Sequence, residues 1–358
     1  MKKRNTYCDA LRFIAIVSVV AIHIFADFRD TYIHNNRLYY GILTFFDSIT
    51  RTGVPLFFMM TGIFMLNSDK EKTLSEFYKK RLPKLIIPFI LFSGVYYVFE
   101  QYKISQNISL IGFIIKFTNN QIKYHLWFMY PMIIIYLFIP FLRKLIKNLN
   151  RKYLKTLIGI IFIVGNVLLT INICSIKLNH PILSNMVLPS MSIYMNYLFL
   201  GYYLNKYNIK KKERKIIYIL GIISTLLMPI VDNYFISEKG RDDFFLNSTS
   251  LFPVMQSAAI FLLFKYNYEK FKIKDSLNLF FQKTANIAFY IYLSHVLVME
   301  ILKICIIKRS FFKNNLPSLT IYNIIIFILT FLISYIVSIY FEKIYNYITN
   351  KIKSEIKK

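Results

Sequence analysis

Apolar stretches of membrane-crossing length recur from one end of the chain to the other, and they constrain the fold more than any other feature. A helix needs about 17–25 predominantly apolar residues to cross the hydrocarbon core. Such stretches lie near 9–27, 40–66, 84–100, 125–142, 154–173, 190–206, 215–233, 250–265, 284–304 and 319–342. Lipid offers no partner for backbone N–H and C=O groups, so each stretch reads as a helix that satisfies its own backbone. The expected fold is all-α: a polytopic membrane helical bundle of about ten transmembrane helices in the cell membrane, with the lipid bilayer as its solvent. The 358 residues are 56% hydrophobic. Neither a repeat nor a linker divides the chain, so the reading gives a single membrane domain over 1–345 and a basic cytoplasmic tail over 346–358.

The formal charge of +27 raises the question of nucleic acid, but the basic residues come in short bursts between apolar segments. The connections "DKEKTLSEFYKKRLPK", "RKLIKNLNRKYLK", "NKYNIKKKERK" and "KYNYEKFKIKDSLNLFFQK" are rich in Lys and Arg, as are the N-terminus and the tail "NKIKSEIKK". The connections between them are poorer in basic residues, and "VDNYFISEKGRDDFF" is acidic. The positive-inside rule then puts both termini in the cytoplasm with an even number of spans. One connection, "KICIIKRSFFKNNLP", carries Lys303, Lys308, Arg309 and Lys313 on the side expected to be outside. A basic face for nucleic acid would need a soluble domain to present it, and the reading expects no nucleic-acid partner. Cys8, Cys174 and Cys305 are odd in number and far apart, which implies neither a disulfide framework nor a metal site. Lys2, Lys3 and Arg4 before an apolar run resemble a signal peptide, but Arg12 within the run and Asp27 closing it favour a retained first span.

Arg12 and His23 are ionisable residues inside that first span, where such groups are costly and face an interior cavity or a partner. Eleven residues are close to three helical turns, so both side chains fall on one face, about 16 Å apart along the axis. Asp9 lies three residues before Arg12 and Asp27 four after His23, spacings that let Asp9 neutralise Arg12 and Asp27 orient the His23 ring. The plainer alternative has Arg12 snorkelling to the headgroups and His23 satisfied at the interface. Spacing leaves both open.

Several segments in order resemble the acyltransferase-3 family of bacterial membrane proteins. They are Arg12 and His23 in the first span, "RTGVPLFFMMTGIFML" at 51–66, "FYKKRLPKLIIPFI" at 77–90, "HLWFMYPMIIIYLFIP" at 125–140 and "AFYIYLSHVLVM" at 288–299. The resemblance implies transfer of an acyl group, usually acetyl, from cytoplasmic acyl-coenzyme A to a hydroxyl of an extracytoplasmic carbohydrate. Acetyl-CoA would then be a donor substrate, with no permanently bound cofactor. The family's motif histidine falls on His23 and its motif arginine on Arg12, with Asp27 as the third candidate catalytic residue. A basic RxxR element falls on Arg81 and Lys84; here the second arginine is a lysine, which offers phosphate a point charge in place of a planar fork. Lys80 or Lys79 could compensate, so Arg81, Lys84, Lys80 and Arg12 form the candidate donor-binding set. His23 could act as a general base or carry the acyl group as an acyl-imidazole.

The candidate substrate-binding residues are His125, Trp127 and Arg51. His125 opens the fourth span beside Trp127, the only tryptophan, which also suits an interfacial anchor. Arg51 precedes Gly53 and Pro55, where a broken helix could line a cavity. His295, beside Ser294, reads as a residue that packs and hydrogen-bonds between helices, with Glu300 as a possible partner. Asn166 and Asn196 are polar within spans and receive no role. The histidines lack ligand spacing such as HExxH, and no metal is expected.

The rival reading is a transporter or flippase for a lipid-linked glycan; such proteins often show internal repeats, which are lacking here. A scaffold or sensor leaves Arg12 and His23 without a purpose. The acceptor glycan is not legible in the loops. The resemblance is to members without the fused esterase-like domain with which others finish transfer outside, so the expectation is that the chain either transfers directly or hands the acyl group to a separate extracytoplasmic transferase.

Overall fold

A computed structural model describes residues 5–30, 32, 36–68, 73–182, 190–235, 243–306 and 315–356. Every regular element among them is helical. Eight helical stretches are long and apolar enough to cross a membrane: Thr6–Asp30, Arg37–Leu66, Leu74–Lys103, Tyr124–Asn148, Arg151–Lys177, Lys211–Tyr234, Asp275–Ile304 and Pro317–Lys351. The other two expected stretches are 17-residue helices, Ser190–Lys206 and Leu251–Asn267. Much of the basic connection near 303–313 lies outside the described residues.

Helix α1 (Thr6–Asp30) is the central element, and its apolar positions are buried from Cys8 to Phe28. Around it pack α2 (Arg37–Thr50), α3 (Gly53–Thr61), α11 (Leu251–Asn267), α12 (Asp275–Ile301) and α13 (Leu316–Ile356). The second span is broken at Arg51–Thr52, between α2 and α3, where a polar pair meets Gly53. Gly53 sits where a Cβ would lie 2.8 Å from Val19 and 3.0 Å from the Ala15 carbonyl oxygen, so α3 restarts in direct backbone contact with α1.

Helix α4 (Leu74–Lys103) begins earlier than its apolar run. The Thr73 hydroxyl accepts from the Glu76 N–H and caps it, so the basic stretch holding Arg81 and Lys84 is helix rather than loop. Its interior prolines, Pro83 and Pro88, fall on the half that carries these cations. Ser109 caps α5 (Leu110–Thr118) through the Gly112 N–H. A 3₁₀ segment, Tyr124–Phe128, leads into α6 (Met129–Asn148). Asn150 caps α7 (Arg151–Phe162), which continues through a π-helical turn into α8 (Leu168–Lys177). Helices α9 (Ser190–Lys206) and α10 (Lys211–Tyr234) complete the set. Residues 346–356, within the expected basic tail, are helical and continuous with α13.

Small residues set the closest crossing. A Cβ on Gly62 would lie 2.0 Å from the Leu198 carbonyl oxygen, and one on Gly201 would lie 2.3 Å from that of Met59. The end of the second span and α9 thus touch backbone to backbone, the small-residue contact that draws helices together in lipid. Beside it, Asn196 and Asn166 find each other: the Asn196 amide donates to Asn166 Oδ1 at 3.1 Å, and Asn166 donates to the Thr249 carbonyl at 2.9 Å. The polar residues left without a role by the sequence therefore fasten α9 to the segment before α11. Gly62→Ala or Gly201→Ala should destabilise the bundle by about 1–3 kcal/mol, the usual cost of overpacking. A lowered thermal unfolding temperature in detergent checks this, whereas unchanged melting of both variants would show that the helices separate without cost.

Candidate active site

Two cavities adjoin inside the bundle. One, of about 460 Å³, is lined by Arg12 of α1, Arg81 and Lys84 of α4, Thr61 and Phe64 of the second span, Tyr136 of α6, and α12 from Ala285 to Tyr292. The other, of about 320 Å³, is lined by His23 and Asp27 of α1, Arg51, Tyr124, His125, Trp127 and the segment from Asp243 to Ser248. Phe128 and Tyr292 line both. Their rings meet with centroids 5.3 Å apart and planes at 68°, an aromatic partition between the cavities. The shared face of α1 thus becomes the wall of both cavities, with Arg12 in one and His23 in the other.

The larger cavity is cationic. Arg12, Arg81 and Lys84 face it against a single acid, Glu342. The Arg12 guanidinium lies 4.0 Å over the Phe64 ring, a cation–π contact that fixes it on the wall. Arg81 and Lys84 are three apart on α4 and so share a face. Lys79 and Lys80 are exposed and absent from the lining. The size falls in the range of small-molecule sites, and the cations suit phosphate groups.

Beside the smaller cavity three histidines from three helical elements converge. The His23 ring centroid is 6.1 Å from that of His125 and 5.2 Å from that of His295, and the last two are 5.2 Å apart. His125 and His295 are buried. Tyr124 packs edge-on against His23 at 5.1 Å, and the Tyr292 hydroxyl donates to the His125 carbonyl at 2.7 Å. Tyr96 ties α4 to this region by donating to the Leu293 carbonyl at 3.0 Å and accepting from the Leu297 N–H at 2.9 Å. Despite the convergence, no group of three or more His, Cys, Asp or Glu side chains among the described residues is arranged to hold a metal ion.

A buried ionic clamp frames this cavity. Arg29 is fully buried and donates to Asp47 at 2.8 Å and to Asp243 at 2.6 Å. Asp47 also accepts two bonds from Arg51, one from Nε at 2.9 Å and one from Nη2. Arg51 and Asp243 reach the cavity wall, while Asp47 and Arg29 hold them from behind. Asp27 also lines this cavity, and its carboxylate accepts from Lys303 at 2.7 Å. Glu300 pairs with Lys123 at 2.5 Å and Lys103 at 3.4 Å, where the sequence suggested His295. Outside the spans, Lys123 is held charged beyond its ordinary range: burial opposes the charge, but the hydrogen bonds it donates to Glu100 and Glu300 outweigh it.

Arg29, Asp47, Asp243, Tyr124, Phe128, Tyr292 and the part of His295 in the cluster were not expected from the sequence. Arg29 lies beyond the apolar run, which ends near residue 27, whereas the helix continues to Asp30. Asp47 and Arg51 are four apart, a spacing that announces their pairing across the helix end. Asp47→Ala leaves the buried Arg29 charge with Asp243 and, at 3.8 Å, the more exposed Asp30, and should cost about 3–5 kcal/mol. Glu213→Ala, which removes an exposed partner of Lys155, should cost about 1 kcal/mol or less. Equal melting temperatures for these two variants would show that the clamp holds nothing.

Comparison with curated proteins finds no match, and comparison with solved structures finds none either. A family model described as an acyltransferase domain matches residues 5–340, nearly the whole chain and all of both cavities' lining but Glu342. The chain belongs to the acyltransferase-3 family of bacterial integral-membrane acyltransferases.

Proposed function

We propose that the protein moves an acyl group, acetyl in the simplest case, from acyl-coenzyme A to a hydroxyl of an extracytoplasmic cell-surface carbohydrate. The observation that carries this reading is the pair of cavities meeting at Phe128 and Tyr292, one cationic and one holding imidazoles. With α9 and α11 counted as short crossings the described residues hold ten, and the distribution of Lys and Arg supports cytoplasmic termini. The cationic cavity then opens from the side where acyl-CoA is found.

The donor's phosphates sit against Arg81 and Lys84, and its pantetheine arm runs past Arg12 toward the aromatic partition. Lys84 supplies charge without the bidentate geometry of an arginine. Lys80, exposed on the same helix, attracts the nucleotide end from outside the cavity. The acceptor enters the other cavity, where Trp127 offers an apolar face and Arg51 and His125 offer polar groups to a sugar ring. The Arg51 guanidinium is held by Asp47, so it meets the acceptor in a fixed orientation.

At the partition the thioester carbonyl faces His23. The imidazole takes the proton of the acceptor hydroxyl as its oxygen attacks the carbonyl carbon; the C–S bond then breaks, and the coenzyme A thiolate receives the proton. In the alternative route the imidazole attacks first, releases coenzyme A, and passes the acyl group to the hydroxyl from an acyl-imidazole. Asp27, one turn along α1, stabilises the positive charge the ring gains in either case. A separate extracytoplasmic transferase enters only if the acyl group leaves this chain on a carrier. A denaturation-stable, hydroxylamine-labile label on the protein after incubation without acceptor would select the acyl-imidazole.

Membranes containing the protein and their native glycan, given labelled acetyl-CoA, should release free coenzyme A and label the glycan. His23→Ala should lower transfer by about 10²–10⁴-fold with the protein still inserted. Arg81→Ala should raise KM for acetyl-CoA by about tenfold or more, as expected for losing a charged hydrogen bond. Transfer by His23→Ala at the wild-type rate would overturn the reading. Glycan reaching the outside in a protein-dependent way, with its acylation unchanged, would make the protein a transporter instead.

A further inference from the structure

His295 lines neither cavity, yet it is fully buried with its ring 5.2 Å from that of His23. Its Nδ1 lies 2.7 Å from the Tyr292 carbonyl oxygen. A carbonyl only accepts, so Nδ1 carries the hydrogen, and in the neutral ring Nε2 keeps a lone pair. That Nε2 is buried and meets no hydrogen-bond partner among the described residues. A buried acceptor left unmet costs about 1–3 kcal/mol, and an orphan of this kind in a packed helix calls for an explanation.

We propose that His295 is the positioning residue for His23, accepting a hydrogen bond from one His23 ring nitrogen as the other takes up the acceptor's proton. This rests on the proposed role of His23 as base or acyl carrier. A reactive imidazole works through one nitrogen while a third group fixes the tautomer and orientation through the other. Here that third group is a neutral imidazole. Its own orientation is set by a backbone carbonyl on the same helix, whose Tyr292 forms half of the partition. The hydrogen bond forms on the reaction path: such contacts are often long in the unliganded protein and tighten when substrate arrives. No net charge is created at His295; the proton taken from the hydroxyl stays on His23 until the thiolate receives it. His125, whose ring is equally near His295, is also buried with neither ring nitrogen hydrogen-bonded among the described residues; unlike His295, it lines the acceptor cavity. Burial away from both cavities leaves the His295 lone pair with protein groups alone to serve.

Two polar substitutions separate this role from packing. His295→Gln keeps an acceptor at the ε position, whereas His295→Asn keeps a donor toward the Tyr292 carbonyl and loses that acceptor. With labelled acetyl-CoA and membranes carrying the native glycan, His295→Asn should lower kcat by roughly 10²-fold while KM for acetyl-CoA stays within about twofold. His295→Gln should recover to within about tenfold of wild type. Wild-type kcat in the Asn variant, or a Gln variant no better than Asn, overturns the inference while leaving the role of His23 standing. Absence of any His23-dependent transfer in the wild type overturns both.

Discussion

A charged side chain buried within a protein costs several kcal/mol unless other protein groups meet it, and the shape of the site follows from how this chain meets that requirement. Arg29 is the strictest case. It is fully buried, and Asp47 and Asp243 neutralise it from α2 and from the segment before α11. The same Asp47 carboxylate takes up Arg51, so one acid fixes two arginines and joins three parts of the chain. Arg12 meets the requirement differently, by lying over Phe64 at the edge of a polar cavity. The ionisable groups therefore appear where helices separate, and those separations are the cavities.

The aromatic partition turns two cavities into a pair. Phe128 comes from the 3₁₀ entry to α6 and Tyr292 from the middle of α12; each touches both spaces. A charged donor and a polar acceptor on opposite sides of such a partition can share one reacting atom while neither passes through. On the proposed function this arrangement suits group transfer across a membrane, since the acyl group would cross and the nucleotide would not. The imidazoles of His23 and His125 line the smaller cavity beside the partition.

Much of the fold was legible because membrane helices advertise themselves by length and polarity. The positions of the spans, the break near Arg51 and the common face of Arg12 and His23 follow from local spacing. The family followed from motif order, and residues 5–340 match its model. The approach of His125 and His295 to His23 was not legible, because it depends on which helices pack together over separations of more than a hundred residues. For the same reason Glu300 was paired with a nearby histidine when its partners are Lys103 and Lys123. Lys303, which holds Asp27, lies 276 residues away from it. Lys80 and Lys84 look equivalent in sequence, and only the pitch of α4 and its early start at Thr73 decide that Lys84 lines the cavity while Lys80 does not.

The central claim is that donor and acceptor meet at the Phe128–Tyr292 partition from opposite cavities. A structure determined with a non-hydrolysable acetyl-CoA analogue tests it most directly. The account predicts the analogue's phosphates against Arg81 and Lys84, its arm past Arg12, and its carbonyl mimic beside Phe128, Tyr292 and the His23 ring. An analogue bound in the His125–Trp127 cavity, or bound with its carbonyl mimic remote from the partition, would contradict it.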